Sequence, residues 1–310
     1  MTKTSVFAAF VLFAVSAVSA GEQRLRFAFI TCCRDEAFFG PVKKGMNDAA
    51  AAQGVECVFL GTPGVDVRAQ AAMVRQAVAD GYNGIALNII DPVAFDLVVA
   101  ETMAQGVPVV AFNTDDRRTP NARLAGICQG YYEAGLALGA AADYIPPKSR
   151  VLLTQHDIGV SSLDDRLRGL QDALRKRDIA WKVICATNEP AKAVEIIERE
   201  LRAQPDIRFV LATGLTDTEA AGHAIERSFA GKGHAAAGFD LTPELLRLLR
   251  AGVLRMTVDQ QPYLQGYYPV VWLTHYCRYG LRPSNFDAGA TILRAADADR
   301  VLELTRLGYR

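Results

Sequence analysis

Apolar and polar positions alternate along RLRFAFIT (24–31) and then merge into an apolar run, the signature of a strand that ends buried. From about Gly40 to Gln53 the period changes to a helical one, with Val42, Met46, Ala49 and Ala50 on one face and Gly54 as the stop. VECVFLG (55–61) predicts a second strand, Val67 to Asp80 a helix ended by Gly81, and GIALNII (84–90) a third strand. Asp91-Pro92 then reads as an N-cap with proline at the first helical position, opening a helix that runs to about Gln105. VPVVAFN (107–113) is the fourth strand. Strands alternating with helices imply a parallel sheet with right-handed crossovers.

The pattern then restarts. A helix over Tyr132 to Tyr144 and a turn at 146–149 lead into strands at 150–156, 181–186, 209–214 and 235–240. Helices at 163–177, 190–203, 217–230 and 242–251 separate and follow them. RMTVDQ (255–260) is extended, and Tyr263 to Tyr279 forms a long apolar helix ended by Gly280. The expected fold class is therefore α/β, with two doubly wound parallel-sheet lobes. In such sheets ligands sit beyond the carboxyl ends of the strands, so function is sought in the segments just after them.

The first twenty residues depart from this rhythm. Lys3 precedes an apolar run from Val6 to Val18, broken only by Ser16, and Val18-Ser19-Ala20 supplies small residues before Gly21. This reads as a secretory signal peptide over 1–20, with an exported mature chain starting at Gly21. Basic and acidic residues balance at 34 each, which gives no electrostatic footprint for nucleic acid or an anionic membrane. The six cysteines, Cys32, Cys33, Cys57, Cys128, Cys185 and Cys277, contain no CxxC pair and are expected to be mostly free, partly buried thiols.

Assembled chemistry is not visible. A thiol nucleophile at Cys32 or Cys33 needs a nearby base. The four histidines, His156, His223, His234 and His275, form no thiol-protease signature and no ligand-spaced metal set. Neither GxGxxG after the first strand, nor GxxxxGK[ST], nor a Gly-x-Ser-x-Gly elbow occurs. No cofactor, no metal and no enzymatic activity are expected.

Seven segments carry a resemblance in order and spacing: AFFGPVKKGMNDAA, DGYNGIALNIIDP, GVPVVAFNTDD, GYYEAGLALG, DDRLRGLQDAL, AAAGFDLTPE and VDQQPYLQGYYPV. Together they resemble the type I periplasmic substrate-binding proteins of sugar ABC transporters, the ribose-binding-like family, from about Phe27 to the C-terminus. The resemblance implies two lobes joined by a hinge, with an N-terminal lobe of 21–127 plus 261–289 and a C-terminal lobe of 128–260 plus 290–310. It further implies a periplasmic monomer that clamps a sugar or polyol and hands it to an inner-membrane ABC permease. A receptor serving a sensor kinase or chemoreceptor, and a binder of a less polar non-sugar ligand, stand as alternatives. A repressor of the lactose-repressor type would carry a helix-turn-helix where this chain has its signal segment.

The resemblance also assigns ligand contacts. Phe38 and Phe39 fall where the family places its stacking rings, one of them expected to pack beneath the first helix. Asn113 stands where an aspartate often ends the fourth strand, with Asp115 or Asp116 as substitutes or as members of a solvated turn. Arg166 matches the ligand-binding arginine, set against a surface arginine paired with Asp164 or Asp165. Asp240 and Gln260 lie at a strand end and an interlobe crossing. Asp91 is either a contact or an N-cap, and Thr216 matches a contact region in which Asp217 is a plausible N-cap. Cys32, with Cys33, replaces the polar residue that relatives carry after the first strand, which points to a less polar pocket.

Overall fold

The computed structural model describes residues 24–35, 37–91, 93–115 and 121–310. The expected signal peptide, Pro92 and Asp116 lie outside the described residues. In chain order the first half runs β1 (Arg26–Thr31), α1 (Phe39–Gln53), β2 (Glu56–Gly61), α2 (Val67–Ala79), β3 (Gly84–Leu87), α3 (Asp96–Ala104), β4 (Val109–Asn113), β5 (Gly126–Cys128) and α4 (Tyr131–Ala141). The second half continues with β6 (Arg150–Gln155), α5 (Ser161–Arg175), β7 (Ala180–Cys185), α6 (Pro190–Ala203), β8 (Ile207–Ala212), α7 (Leu215–Phe229), β9 (Ala235–Phe239), α8 (Pro243–Arg250) and β10 (Leu254–Asp259). The chain ends with α9 (Pro262–Tyr279), β11 (Phe286–Asp287), β12 (Thr291–Leu293) and α10 (Ala298–Arg306).

Two six-stranded sheets result, ordered β11-β5-β4-β3-β1-β2 and β12-β10-β9-β8-β6-β7. Every pairing is parallel except β10 with β12. The two orders match strand for strand, so the sequence-based α/β reading with two doubly wound lobes holds. Helices cover both faces of each sheet, which explains why the central strands are apolar throughout. Successive β1 residues serve different cores: Ala28 and Ile30 join Val74 and Val98, while Phe27 and Phe29 join Val42, Phe112 and Val270. Among the described residues no helix is long and apolar enough to cross a membrane.

Two helix pairs pack so tightly that glycine is required at the crossing. A Cβ on Gly45 of α1 would stand about 3.0 Å from the Tyr267 nitrogen of α9 and nearer still to the Tyr263 oxygen. Gly135 of α4 meets the backbone of Arg166 on α5 in the same way. Each crossing fixes a helix that begins at the carboxyl end of a strand.

The predicted boundaries shift in one place that matters. Strand β3 stops at Leu87, and α3 starts at Asp96 rather than straight after Asp91. Asp91 does cap backbone groups, its Oδ1 accepting from the N–H of Val93 at 2.9 Å and of Ala94 at 2.8 Å, but it caps a turn that precedes the helix.

In the second lobe Glu198 on α6 accepts from Arg227 of α7 at 2.6 and 2.5 Å and from Ser228 at 2.6 Å. The Arg227 guanidinium holds its carboxyl down to about 2. A carboxylate depressed by folding contributes stability above its ordinary value, and that stability is lost as pH falls toward the folded value. Glu198→Gln is therefore expected to flatten the stability loss between about pH 4.5 and 2, read as urea midpoints across that window.

Candidate functional site

The carboxyl ends of both sheets face one cavity between the lobes, with an empty volume of about 730 Å³ including its mouth. From the first lobe it is lined by Cys32 and Cys33 after β1, Phe38 and Phe39 at the start of α1, Val65, Asn88, Ile90, Asn113 and Thr114. Tyr131, His156, Arg166, Asn188, Thr216, Asp240 and Gln260 line it from later elements. At the mouth the N–H of Ser161 donates to the Ile90 carbonyl at 3.4 Å, linking the two halves.

An amide chain crosses the cavity floor. Asn88 Nδ2 donates to Asn113 Oδ1 at 2.7 Å, and Asn113 Nδ2 donates to Gln265 Oε1 at 3.1 Å. Gln265 Nε2 continues to the Gln260 carbonyl at 2.6 Å, and Gln260 Nε2 donates to Asp240 Oδ1. Asn113 and Asp240 hold this geometry with φ of +60° and +75°. Both end the corresponding strand of their sheet, and Asn and Asp tolerate the left-handed region better than other side chains. Cys33 at φ +50° and Gln261 at φ +52° add further strain at the same rim, where strained residues gather when a site is preorganised.

Arg166 is 3% exposed and makes three hydrogen bonds. Its Nε and Nη2 donate to Gln129 Oε1 at 3.2 and 2.9 Å, and its Nη1 to the Thr213 carbonyl at 2.9 Å. The guanidinium lies 4.2 Å from the Phe239 ring centre and 5.2 Å from that of Tyr131. Burial pushes its pKa down, and Asp240 opposes the shift. Burial likewise pushes the Asp240 carboxyl up, with Arg166 pulling it back. Each charge thus offsets part of the other's burial.

A second charged group sits beside them. His156 Nδ1 lies 2.8 Å from Asp217 Oδ1. Asp217 is fully buried and accepts from Thr154 Oγ1 at 2.8 Å, the Thr213 N–H at 2.8 Å and the Gly214 N–H at 3.0 Å. At the third position of α7 it reaches back to the N–H of the N-cap Gly214, and it anchors His156 at the same time.

Of the nine residues singled out in the sequence, eight line this cavity: Cys32, Phe38, Phe39, Asn113, Arg166, Thr216, Asp240 and Gln260. Asp91 does not, because its carboxylate is taken up by its turn. Phe39, 4% exposed, is the ring that packs into the core beneath α1, and its centre lies 5.3 Å from that of Phe38. The surface alternative for Arg166 fails: Asp164 accepts from Gln155 at 2.8 Å and Asp165 from Arg168 at 2.7 Å. Asp115 sits in no solvated turn either, being 4% exposed and paired with Arg123 at 2.6 Å. Thr216 donates to Asn188 Oδ1 at 2.8 Å.

Asn88, Tyr131, His156 and Asn188 escaped the sequence reading. Asn88 and His156 come directly after β3 and β6 and carried the strand-end signal that pointed to Asp240. Tyr131, at the head of α4, carried no such signal. No disulfide joins any of the six cysteines, of which Cys32 and Cys128 are buried and Cys185 and Cys277 exposed. Among the described residues no cluster of His, Cys, Asp and Glu is arranged to hold a metal ion.

A family model described as "Periplasmic binding protein domain" matches residues 27–280. The chain is similar to the xylose/arabinose-binding protein of Sulfolobus acidocaldarius, 27% identical over 300 residues that cover 91% of this chain and 74% of that one. It is also similar to the D-allose-binding periplasmic protein of Escherichia coli, 26% identical over 81% of this chain and 83% of the relative. Among solved structures, a carbohydrate transporter from Acidothermus cellulolyticus in complex with myo-inositol superposes with a TM-score of 0.82. It is 26% identical, over 93% of this chain and all of that one.

Proposed function

The chain belongs to the periplasmic binding protein family, and from that premise we propose that it captures a neutral monosaccharide or polyol between its lobes and delivers it to an inner-membrane ABC permease. One observation carries the choice of a neutral ligand. The lining cation Arg166 already has the buried Asp240 carboxylate near it, and the lining imidazole of His156 is held at Nδ1 by the buried Asp217 carboxylate. An anionic ligand would find no cation without a counter-charge. Hydroxyl groups instead suit the amide chain from Asn88 to Gln260, where each amide can donate and accept. Phe38 offers an apolar ring for the face of a pyranose or cyclitol.

The lobes are proposed to comprise 21–127 with 261–289 and 128–260 with 290–310, and the membership of β11 and β12 in opposite sheets supports this division. Ligand binding would shift a hinged equilibrium toward the closed form, because only closure brings Asn113 and Arg166 against the same molecule. The proposal requires an exported, periplasmic monomer and no chemistry on the ligand.

The mature chain, from Gly21, is expected to show a raised melting temperature with at least one of D-xylose, L-arabinose, D-allose and myo-inositol. A ligand at 100 times its dissociation constant adds about 2.7 kcal/mol of stability. D-Glucuronate should give no shift. A shift with glucuronate and none with the neutral four would overturn the reading.

A further inference from the structure

Helix α10 packs on the second sheet, where Ala298 and Val301 are buried with Leu245, Leu248 and Leu293. It stops in a Schellman turn: the Gly308 N–H donates to the Thr305 carbonyl at 3.0 Å and the Tyr309 N–H to the Leu304 carbonyl at 2.9 Å. Gly308 takes φ +77°, which glycine adopts without strain, and a Cβ there would stand 2.9 Å from Lys44 Cδ. The turn carries the chain off the second sheet and onto helices that pack on the first. The Tyr309 ring centre lies 5.1 Å from that of Tyr263 on α9, and Lys44 Nζ on α1 lies 4.7 Å from the Tyr309 ring centre. Asp48 holds both partners, pairing with Lys44 at 2.9 Å and accepting from the Tyr263 hydroxyl at 3.0 Å. Arg310 then pairs at 3.0 Å with Asp259, whose other oxygen accepts from the Gln261 N–H at 2.8 Å. Asp259 is 2% exposed and ends β10, where the chain crosses between the sheets.

These contacts join what a hinge would separate. Among the described residues the chain passes between the sheets at three places, from β5 to α4, from β10 to α9 and from β11 to β12. Rotation about those crossings carries α10 with the second sheet and α1 with the first, so the separation of Tyr309 from Lys44 depends on the hinge angle. The contact from the Ser161 N–H to the Ile90 carbonyl spans the mouth of the cavity in the same structure. Tyr309 is therefore engaged in the form whose mouth is drawn together.

We propose that residues 308–310 form an interlobe strap that favours the closed form, with Tyr309 as its clasp on Lys44 and Tyr263, and that the strap tunes the affinity of a cavity whose wall it does not enter. The inference rests on the reading of the chain as a hinged binder of neutral polyhydroxyl ligands. A ligand that needs the closed form binds with an apparent dissociation constant that rises as the closed fraction falls. Loss of the clasp thus weakens binding while every ligand contact stays in place.

Tyr309→Ala and Lys44→Ala, each in the mature chain, are expected to weaken binding about 3- to 30-fold with whichever of the four neutral compounds stabilises the wild type, mostly through faster ligand release. Tyr309→Phe keeps the ring and should bind within about 2-fold of the wild type. The double variant Tyr309→Ala with Lys44→Ala should lose little more than either single variant, because both remove the same contact. Arg310 stays in place in all of them, since removing it would also strip buried Asp259 of its counter-charge.

A role confined to finishing α10 predicts a lower urea midpoint for Tyr309→Ala with unchanged affinity. Binding by Tyr309→Ala as tight as the wild type's, or tighter, would overturn the inference, and so would losses that add in the double variant; both results leave the sugar reading intact. Failure of all four compounds to stabilise the wild type would instead overturn the sugar reading, and this inference with it.

Discussion

Replacing Arg166 by alanine is expected to abolish ligand-induced stabilisation and to lower the stability of the unliganded protein by about 3–5 kcal/mol. Both losses come from the same geometry. The guanidinium is the counter-charge of buried Asp240 and the donor to Gln129 Oε1 and the Thr213 carbonyl, and alanine leaves all three without it. Removing one partner of a buried pair is far more damaging than the pair itself is stabilising, because an uncompensated charge remains.

The same pair sets the sign of the pH dependence. In the variant the Asp240 carboxyl loses the influence that pulls it down, so its folded pKa rises further above the unfolded value. A group whose folded pKa is raised favours the folded state at low pH and loses that contribution as pH rises through the folded value. The deficit of Arg166→Ala should therefore be largest near neutrality and shrink toward acid. The double variant Arg166→Ala with Asp240→Asn should recover part of the urea midpoint and none of the binding. Arg166→Lys should retain more stability than alanine but lose most of the affinity, since an ammonium cannot reproduce the planar fork on Gln129 and Thr213. A wild-type midpoint with an intact ligand shift in Arg166→Ala would remove the buried pair from the site.

The alternation of strands and helices was legible because each strand has helices on both faces, so its apolar run is long and its flanks are marked by Gly54, Gly81 and Gly280. The segment beyond Gly280 was not legible in this way. Strands β11 and β12 are two and three residues long, too short to show a period, and they are defined by the sheets they join. Strand β5 is equally short and lies after a run that carries Asn121 and Arg123. The helix α10 does carry an amphipathic pattern, with Ala298 and Val301 buried, but it sits beyond the last doubly wound unit that the alternation predicts.

The site divides along the same line. Asp240 and Gln260 were readable because strand carboxyl ends face the cleft. His156 has the same placement at the end of β6, but a lone histidine in a sequence gives no sign of the buried carboxylate that orients it. Asp217, 61 residues away, reads only as the N-cap of a helix, whereas α7 starts earlier, at Leu215, and Asp217 reaches back from its third position to the N-cap Gly214. Its second role exists because α7 starts beside β6 in the sheet order, a neighbourhood set by β8 pairing with β6. Asp115 shows the converse error. Its local sequence is that of an exposed turn, and Arg123, eight residues on, turns it into a buried ion pair.

Gly135→Ala is expected to weaken ligand binding about 10- to 100-fold although Gly135 lies outside the cavity wall. The added methyl would stand 2.8 Å from the carbonyl carbon of Arg166, 2.9 Å from its Cα and nearer still to its oxygen. Backbone cannot step aside as a flexible side-chain end can, so α4 and α5 must separate. Gly169 makes the reciprocal approach from α5 to the backbone of Tyr132 and Leu136, which leaves no slack at the crossing. Overpacking of this kind typically costs about 1–3 kcal/mol. The displacement falls on Arg166 itself, whose three hydrogen bonds run from 2.9 to 3.2 Å and lose strength steeply when stretched or bent. Gly45→Ala separates the two effects: it forces apart α1 and α9 in the other lobe against the Tyr263 backbone, and it leaves the α4–α5 crossing untouched. It should destabilise comparably while preserving the Arg166 contacts, so its affinity should fall less than that of Gly135→Ala. Gly64→Ala, with nothing within 4 Å, should match the wild type in both. Equal affinity losses at Gly45 and Gly135 would show that general loosening of the lobes governs binding, and would remove the link from the α4–α5 crossing to the Arg166 fork.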